Sequence, residues 1–573
     1  MFLTIKKIIN LLEKNEQRFF LLLIFLMFFS ALFEVFSLGS LIPLIDYFTN
    51  SNLVPSINNY VEYIFTKFNF KKEELLNYLP LLIIFIFSIK NIFLIFFHWV
   101  ETKVIVFFRA NLGIRLFKKY LNENFNFYLS KNSYEISSNI IQETAIFGAT
   151  FLHLSMLFTE VFMMLGLLLF LFMINPIITL ILLFSVLILT LIFYYFFKKK
   201  IKKLSIDRKE KEQEKQNILQ QGLYSLKEII IFKAQNIFEN KYQEISNSVA
   251  KTHHNFAFIS KLPKVWFELF SIFTFTILIL FRNNLTINQS ELLAFLSVSL
   301  ITLIKLLPSA NKILNSIQYI NFAKEAVDNL YKEIVFSKNS LKKKDSQKLF
   351  FRDKILLSNI NYKFDNSREF TLKNLDLEIK KNDKIGIMGE SGSGKSTLLN
   401  IIAGLVSPSS GSIKIDGIEI SNVKNQWLDK LGYVGQSTTI VEGSLANNIA
   451  FGVMEKNFDQ KRLRDVIKFS GLESFLAKNS KTTEFFLEEN GKNLSGGEKQ
   501  RISIARSLYK SPEIIFFDES TNSLDLDTEN NILKEIEEFA KNKTIIFISH
   551  KKSSLKFCNK VYLLKDKKLF LIK

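Results

Sequence analysis

The chain has 573 residues, 48% of them hydrophobic, and Phe alone supplies 60. It carries 74 Lys+Arg against 54 Asp+Glu, a formal net charge of +20. This is too long for one compact domain of roughly 150 residues, and too poor in Gly (20) and Pro (8) for a fibrous or disordered chain. The one cysteine, Cys558, excludes an intrachain disulfide framework and a Cys-rich metal site. A membrane protein or a basic nucleic-acid-binding protein remains, and position along the chain separates the two.

Residues 1–18 predict an amphipathic interfacial helix. Phe2, Ile5, Ile9 and Leu12 follow helical spacing, with Lys6, Lys7 and Lys14 off that stripe. The apolar run that follows is longer than a signal-peptide core, so no cleavage is expected. Six apolar runs lie before residue 310: 19–45, 79–100, 150–175, 176–197, 264–281 and 291–307. A helix needs about 20 mostly apolar residues to cross a bilayer. The first four runs reach that length, and none shows the polar face of a globular helix. Lys and Arg concentrate in two connections. Residues 198–251 hold 13 Lys/Arg against 7 Asp/Glu, and Lys103, Arg109, Arg115, Lys118 and Lys119 lie between runs two and three. Both connections therefore belong in the cytoplasm. They carry periodic Leu, Ile and Phe and read as extensions of the membrane helices. The 46–78 loop faces outside, and six spans place both termini in the cytoplasm. This accounts for much of the charge without nucleic acid.

Residues 336–349, FSKNSLKKKDSQKL, form a polar linker. From residue 350 strand-like and helical runs alternate, with Gly at the turns. The expected architecture is a multi-domain membrane protein. An all-α six-helix transmembrane domain (1–335) is followed by an α/β P-loop ATPase domain (350–573).

The stretch Gly389-Glu390-Ser391-Gly392-Ser393-Gly394-Lys395-Ser396-Thr397 matches G-x-x-x-x-G-K-[ST], after an apolar strand (384–388) and before a helical run. Its glycines let backbone N–H groups turn toward phosphate oxygens. Lys395 would reach the β- and γ-phosphates of ATP, Ser396 would ligate Mg2+, and Thr397 adds a phosphate contact. A second apolar run, 514–517, ends in Asp518 and Glu519. Asp518 suits Mg2+, and Glu519 suits the polarisation of the attacking water.

Leu494-Ser495-Gly496-Gly497-Glu498-Lys499-Gln500-Arg501 stands between these two motifs. In that order the three resemble the ATPase domains of ABC transporters, over the whole soluble half. The resemblance implies roles for further residues. Gln436 is similar to the Q-loop glutamine that senses Mg2+, His550 to the switch histidine, and Asp525 to the D-loop aspartate. Phe364, with Tyr362 two residues away, falls where an aromatic stacks on adenine. Glu498 departs from the usual Gln and Gly435 from a frequent Pro. Residues 488–491 resemble the exporter-specific loop only loosely. In this family the P-loop of one ATPase domain and the Ser495–Gly497–Glu498 signature of another clamp each ATP. One ATPase domain per chain therefore implies a second copy, a homodimer of exporter half-transporters, with a heterodimer as the other option.

Charged residues inside spans are costly and point to function. Glu34, Lys90, Glu160, Glu268 and Lys305 lie there, with His153, Lys264 and Lys312 near span ends. The glutamates divide evenly between internal ion pairs and function. A lysine can bind phosphate as a point charge, so Lys90 and Lys305 are expected to face a cavity. The run Lys305-Leu-Leu-Pro-Ser-Ala-Asn311-Lys312, with Pro263-Lys264, resembles the lipid-linked oligosaccharide flippases of bacterial N-linked glycosylation. That resemblance implies a polyprenyl-pyrophosphate-linked sugar as substrate, with Lys90, Lys264, Lys305 and Lys312 as candidate contacts. It also implies membrane lipids as partners, no nucleic acid, and a bacterial inner membrane with the ATPase domain in the cytoplasm. Residues 56–70 would form a short outer helix. The alternatives are an exporter of another lipid, a drug-like compound or a peptide, and an ATP-gated channel or regulator. A protein exporter with an N-terminal peptidase is disfavoured by the 18 residues before span one. A soluble ATPase acting on DNA or translation would lack the spans.

Overall fold

The computed structural model describes residues 2–41, 43–44, 75–174, 176–280, 289–335, 345, 347–364, 369–478, 482–519, 534, 542–550 and 555–573. The 56–70 segment and Asp525 lie outside these residues. The chain divides into two compact units, Met1–Glu123 with Lys131–Asn339, and Asn124–Ser130 with Ser340–Lys573. The short 124–130 stretch was expected in the membrane half but groups with the second unit, so the division is not one cut along the chain.

The first unit is helical. In chain order it holds α1 (Phe2–Leu11), α2 (Lys14–Gly39) and α3 (Leu75–Leu121). After α4 (Phe125–Ser130), which belongs to the second unit, come α5 (Ser133–Ser138), a π-helical turn (Asn139–Glu143) and α6 (Thr144–Ile174). Then follow α7 (Pro176–Tyr224), α8 (Leu226–Ile231), α9 (Gln235–Leu280), α10 (Gln289–Phe322) and α11 (Lys324–Val335). Among the described residues three helical stretches are long and apolar enough to cross a membrane: Lys14–Gly39, Tyr78–Leu121 and Ser133–Met173. The fourth and sixth apolar runs lie within α7 and α10, and residues 264–280 of the fifth lie within α9. The polar 198–251 connection is helical for most of its length, continuing α7 and entering α9.

The spans pack through aromatic rings and one close backbone approach. Phe20 of α2 meets Phe151 of α6 edge-on at 5.2 Å. A Cβ on Gly166 would fall 2.6 Å from Val35 Cγ2, so only Gly lets α6 come this close to α2. Large apolar side chains such as Ile92, Ile95, Trp99 and Leu169 point outward. In water such a surface would associate, whereas against lipid tails it is stable. α1 buries Thr4, Ile8 and Leu11. Of the expected stripe, Leu12 just beyond it is buried, Ile5 and Ile9 are partly buried and Phe2 is exposed. On α11, Asp328 takes Lys7 at 2.7 Å and the Tyr331 ring lies 5.6 Å from the same ammonium.

The second unit carries two main sheets. β1 (Lys354–Tyr362), β2 (Leu372–Lys380), β4 (Ser410–Ile415) and β5 (Ile418–Glu419) form an antiparallel sheet in the order β2-β1-β4-β5, and β3 is Lys384–Met388. The other sheet uses β3, β6 (Leu431–Val434), β9 (Ile514–Asp518), β10 (Thr544–Ile548), β11 (Lys560–Lys565) and β12 (Lys568–Leu571). Its order is β12-β11-β3-β10-β9-β6, with β7 (Gly443–Ser444) and β8 (Phe486–Leu487) paired apart. β11, β3, β10, β9 and β6 run parallel. β9 and β10 are buried at every position, which explains their unbroken apolar sequences. α12 (Lys395–Ile402) follows the P-loop, and α13 (Lys424–Asp429), α14 (Leu445–Ile449), α15 (Gln460–Phe469), α16 (Glu473–Lys478) and α17 (Gly496–Tyr509) complete the unit.

Trp427 on α13 is fully buried. Its indole N–H donates to Ile402 O at 3.0 Å, and its ring meets Phe351 edge-on at 5.9 Å. Trp427→Ala is expected to destabilise this unit by about 3–5 kcal/mol. Trp427→Phe should cost less, about 1–3 kcal/mol, for the smaller ring and the carbonyl left unpaired. Denaturant unfolding of the purified full chain checks both, and equal midpoints for all three proteins would contradict this packing.

Candidate functional site

Three neighbouring parallel strands deliver the chemistry to one sheet edge. Ile548 on β10 pairs with Ile387 on β3 and with Asp518 on β9. The residues just beyond these ends, Gly389, Glu519 and His550, therefore lie close together, where open α/β sheets bind ligands.

The P-loop leaves β3 through two left-handed glycines, Gly392 (φ 81°) and Gly394 (φ 102°), and enters α12. A Cβ on Gly389 would collide with Leu564 O at 2.6 Å. Lys395 curls back over the loop and donates to Gly389 O at 3.0 Å and Glu390 O at 2.9 Å. Ser393 Oγ is buried and has no hydrogen-bond partner. A buried hydroxyl facing a loop of N–H donors is the arrangement a phosphate satisfies.

Glu519 gathers the other groups. His550 Nε2 lies 2.7 Å from its Oε1, Gln436 Nε2 donates to its Oε2 at 3.3 Å, and Lys395 Nζ sits 3.6 Å away. Its own backbone is left-handed, with φ 50°, and its N–H donates to Ile548 O at 3.0 Å. A non-glycine residue in this region is strained, and such strain collects at functional sites.

Asp518 is bridged from both sides. Ser396 Oγ donates to Oδ1 at 3.2 Å, and Tyr433 Oη donates to Oδ2 at 3.4 Å. Burial raises the Asp518 carboxyl above its ordinary value; the Ser396 bond opposes the rise and the Glu519 charge adds to it. Burial, with the Asp518 charge behind it, pushes the Tyr433 phenol up to about 12. A divalent cation between Ser396 and Asp518 would reverse the Asp518 shift. Both groups offer hard oxygen donors, so the pair fits Mg2+.

Phe364, exposed, meets the buried Tyr362 edge-on at 5.2 Å. Phe364 is thus the aromatic face open to a base, and Tyr362 belongs to the core. A cavity of about 450 Å³ is lined by Glu369–Thr371, by 390–393 of the P-loop and by Leu564–Lys567. The β11–β12 turn of that wall carries no sequence motif, and only its fold brings it to the phosphate loop. Lys567 there pairs with Glu369 at 2.7 Å.

In the signature, Ser495 caps α17. Its Oγ accepts from Glu498 N at 3.3 Å, and Glu498 Oε2 accepts from Ser495 N at 2.7 Å. Glu498 therefore completes a capping box at the start of that helix, a place Gln fills equally. Gly496 has open space around it, as a surface that receives a ligand requires.

The membrane lysines are engaged. Lys90 Nζ lies 3.1 Å from Glu34, with 7% and 10% of the two side chains exposed. Lys312 lies 2.6 Å from Glu160. Lys90 is thus part of an internal ion pair with Glu34, in which two opposite charges inside a span neutralise each other. Lys264 is exposed, and the Lys305 side chain lies outside the described residues.

Comparison with known proteins fits this geometry. Residues 372–522 match the ABC transporter family model, and residues 16–307 match that of the ABC transporter transmembrane region. Alpha-hemolysin translocation ATP-binding protein HlyB of Escherichia coli O157:H7 is 35% identical over 208 residues, 36% of this chain and 29% of that protein. ABC transporter B family member 29, chloroplastic, of Arabidopsis thaliana is 34% identical over 214 residues, 37% of this chain and 34% of that protein. The chain thus matches about a third of the length of these curated relatives. The solved structure of a bacterial Atm1-family ABC exporter with ATP bound superposes with a TM-score of 0.77 at 19% identity, over 96% of this chain and 93% of that one. At that identity the likeness establishes the exporter fold. With a transmembrane-region match over half of its length, this chain belongs to the ABC transporter family.

Proposed function

We propose that the protein is an ATP-driven exporter that works as a homodimer in the bacterial inner membrane. The observation that carries this reading is the convergence of His550, Gln436 and Lys395 on the Glu519 carboxylate. Glu519 acts as general base toward the water that attacks the γ-phosphate, and His550 orients it. Lys395, Ser393 and the P-loop N–H groups hold the phosphates. Ser396, Asp518 and Gln436 would hold Mg2+, which would supply positive charge to neutralise the transferring phosphoryl group. Phe364 stacks on adenine, Asp525 serves as the D-loop aspartate that the resemblance implies, and Ser495, Gly496, Gly497 and Glu498 close the ATP site of the second copy.

The substrate is an amphipathic molecule, and a polyprenyl-pyrophosphate-linked oligosaccharide is the reading the membrane half supports best. Its support is the run from Lys305 to Lys312 with Lys264, and a set of charges within spans that a neutral lipid would not need. The Glu34–Lys90 and Glu160–Lys312 pairs hold two of these lysines ready, since an arriving pyrophosphate can exchange for a carboxylate. A second reading, polypeptide export, is favoured by one observation, the 35% identity to an alpha-hemolysin translocation protein.

A Glu519→Gln variant is expected to lower ATP turnover by roughly 100-fold or more, while binding of a fluorescent ATP analogue is kept. Rapid hydrolysis by that variant would refute the general base. Lys90→Ala and Glu34→Ala each strand a buried charge and should destabilise the membrane unit by about 3–5 kcal/mol. The double change Glu34→Leu with Lys90→Met should restore thermal stability. If Lys90 also serves the substrate, the double variant keeps basal ATPase activity but loses stimulation by lipid-linked oligosaccharide in proteoliposomes. Stimulation by unfolded polypeptide and not by glycolipid would select the second reading.

A further inference from the structure

The departure at Gly435 has a structural consequence. β6 runs parallel to β9, with Tyr433 opposite Phe516 and Val434 opposite Phe517. Val434 points into the core, and Tyr433 lies on the other, exposed face. From there the phenol reaches past the strand end to Asp518 Oδ2 at 3.4 Å. A Cβ at residue 435 would fall 3.0 Å from Tyr433 Cε1 and 3.4 Å from its Oη. Any side chain at 435 would push the ring by a few tenths of an ångström. Gly435 therefore leaves the ring where its hydroxyl meets the carboxylate.

We propose that Tyr433 is a positioning residue for Asp518. Its hydroxyl holds Oδ2, so that Oδ1 stays turned toward Ser396, the residue that shares the metal. Without the phenol, Ser396 Oγ at 3.2 Å is the remaining hydrogen-bond donor to the carboxylate among the described residues. A hydroxyl has one donor and two lone pairs, so Ser396 Oγ could face a cation and still donate to Oδ1. Tyr433 fixes the second oxygen, Oδ2. Groups that orient a metal-site carboxylate act on metal affinity rather than on nucleotide contacts. The inference deepens the ATPase reading and rests on Asp518 being a metal-site carboxylate.

The test uses the purified full-length protein with Mn2+ as probe, read by electron paramagnetic resonance in the presence of a non-hydrolysable ATP analogue. Tyr433→Phe is expected to weaken Mn2+ binding by roughly tenfold. Binding of a fluorescent ATP analogue in chelator should stay within about twofold of wild type. Gly435→Ala should weaken Mn2+ binding in the same direction and add little to Tyr433→Phe, since both act through one contact. Asp518→Asn is the control. If it binds Mn2+ as wild type does, the metal assignment fails and the Tyr433 proposal with it. If Asp518→Asn loses Mn2+ while Tyr433→Phe matches wild type, the Tyr433 proposal alone is overturned. An equal loss of metal-free nucleotide binding in Tyr433→Phe would also overturn it, because that marks a general structural role.

Discussion

The parallel register of β3, β10 and β9 is the constraint on which the nucleotide site depends. Ile387, Ile548 and Asp518 stand side by side at the strand ends. A shift of one residue in any strand would move its terminal residues to the opposite face. β9 and β10 are themselves buried throughout. Their ends are where polarity begins. There Asp518 and Glu519 meet Ser396, Lys395 and His550, and each carboxylate has donors on both oxygens. The buried Ser393 hydroxyl stays unpaired at the same edge. A site with satisfied carboxylates and an unsatisfied phosphate cradle is poised for an anion and a hard cation together.

The membrane unit solves a different electrostatic problem. Its apolar surface faces outward, and its internal charges are taken up in pairs. Glu34 with Lys90 joins α2 to α3, and Glu160 with Lys312 joins α6 to α10. Away from the spans, Arg208 is fully buried and lies 2.8 Å from Glu212 and 3.4 Å from Glu143 of the π-helical turn. Such pairs contribute little net stability compared with apolar packing, but breaking one of them is costly. They therefore specify which helix faces touch. The polar stretch 198–251 along α7 and α9 carries part of the positive balance, 13 Lys/Arg against 7 Asp/Glu, where water and lipid headgroups can screen it.

Features governed by local backbone needs could be read from the residue order. Gly392 and Gly394 mark left-handed positions, the run 514–517 marks a strand buried on both faces, and Ser495 marks a helix start. Each signal is local because each cause is local. Partner choice was not legible in the same way. Nothing in the neighbourhood of Lys90 names Glu34 as its partner, and nothing around Tyr433 names Asp518. These pairings join elements 56 and 85 positions apart and depend on the assembled helices and strands. The Leu564–Lys567 turn lacks a motif for the same reason. Likewise nothing around Lys7 names Asp328 and Tyr331 of α11 as its partners.

The central claim is that ATP hydrolysis at the Glu519 edge drives movement of a substrate through the membrane unit. Its most direct test is uphill transport in proteoliposomes holding the purified protein with its ATPase half outward. Fluorescent lipid-linked oligosaccharide or polypeptide would be followed against its own gradient. The account predicts accumulation with ATP and Mg2+, and none with a non-hydrolysable ATP analogue. Equal, purely downhill flow with ATP and with the analogue would identify an ATP-gated channel and contradict the account.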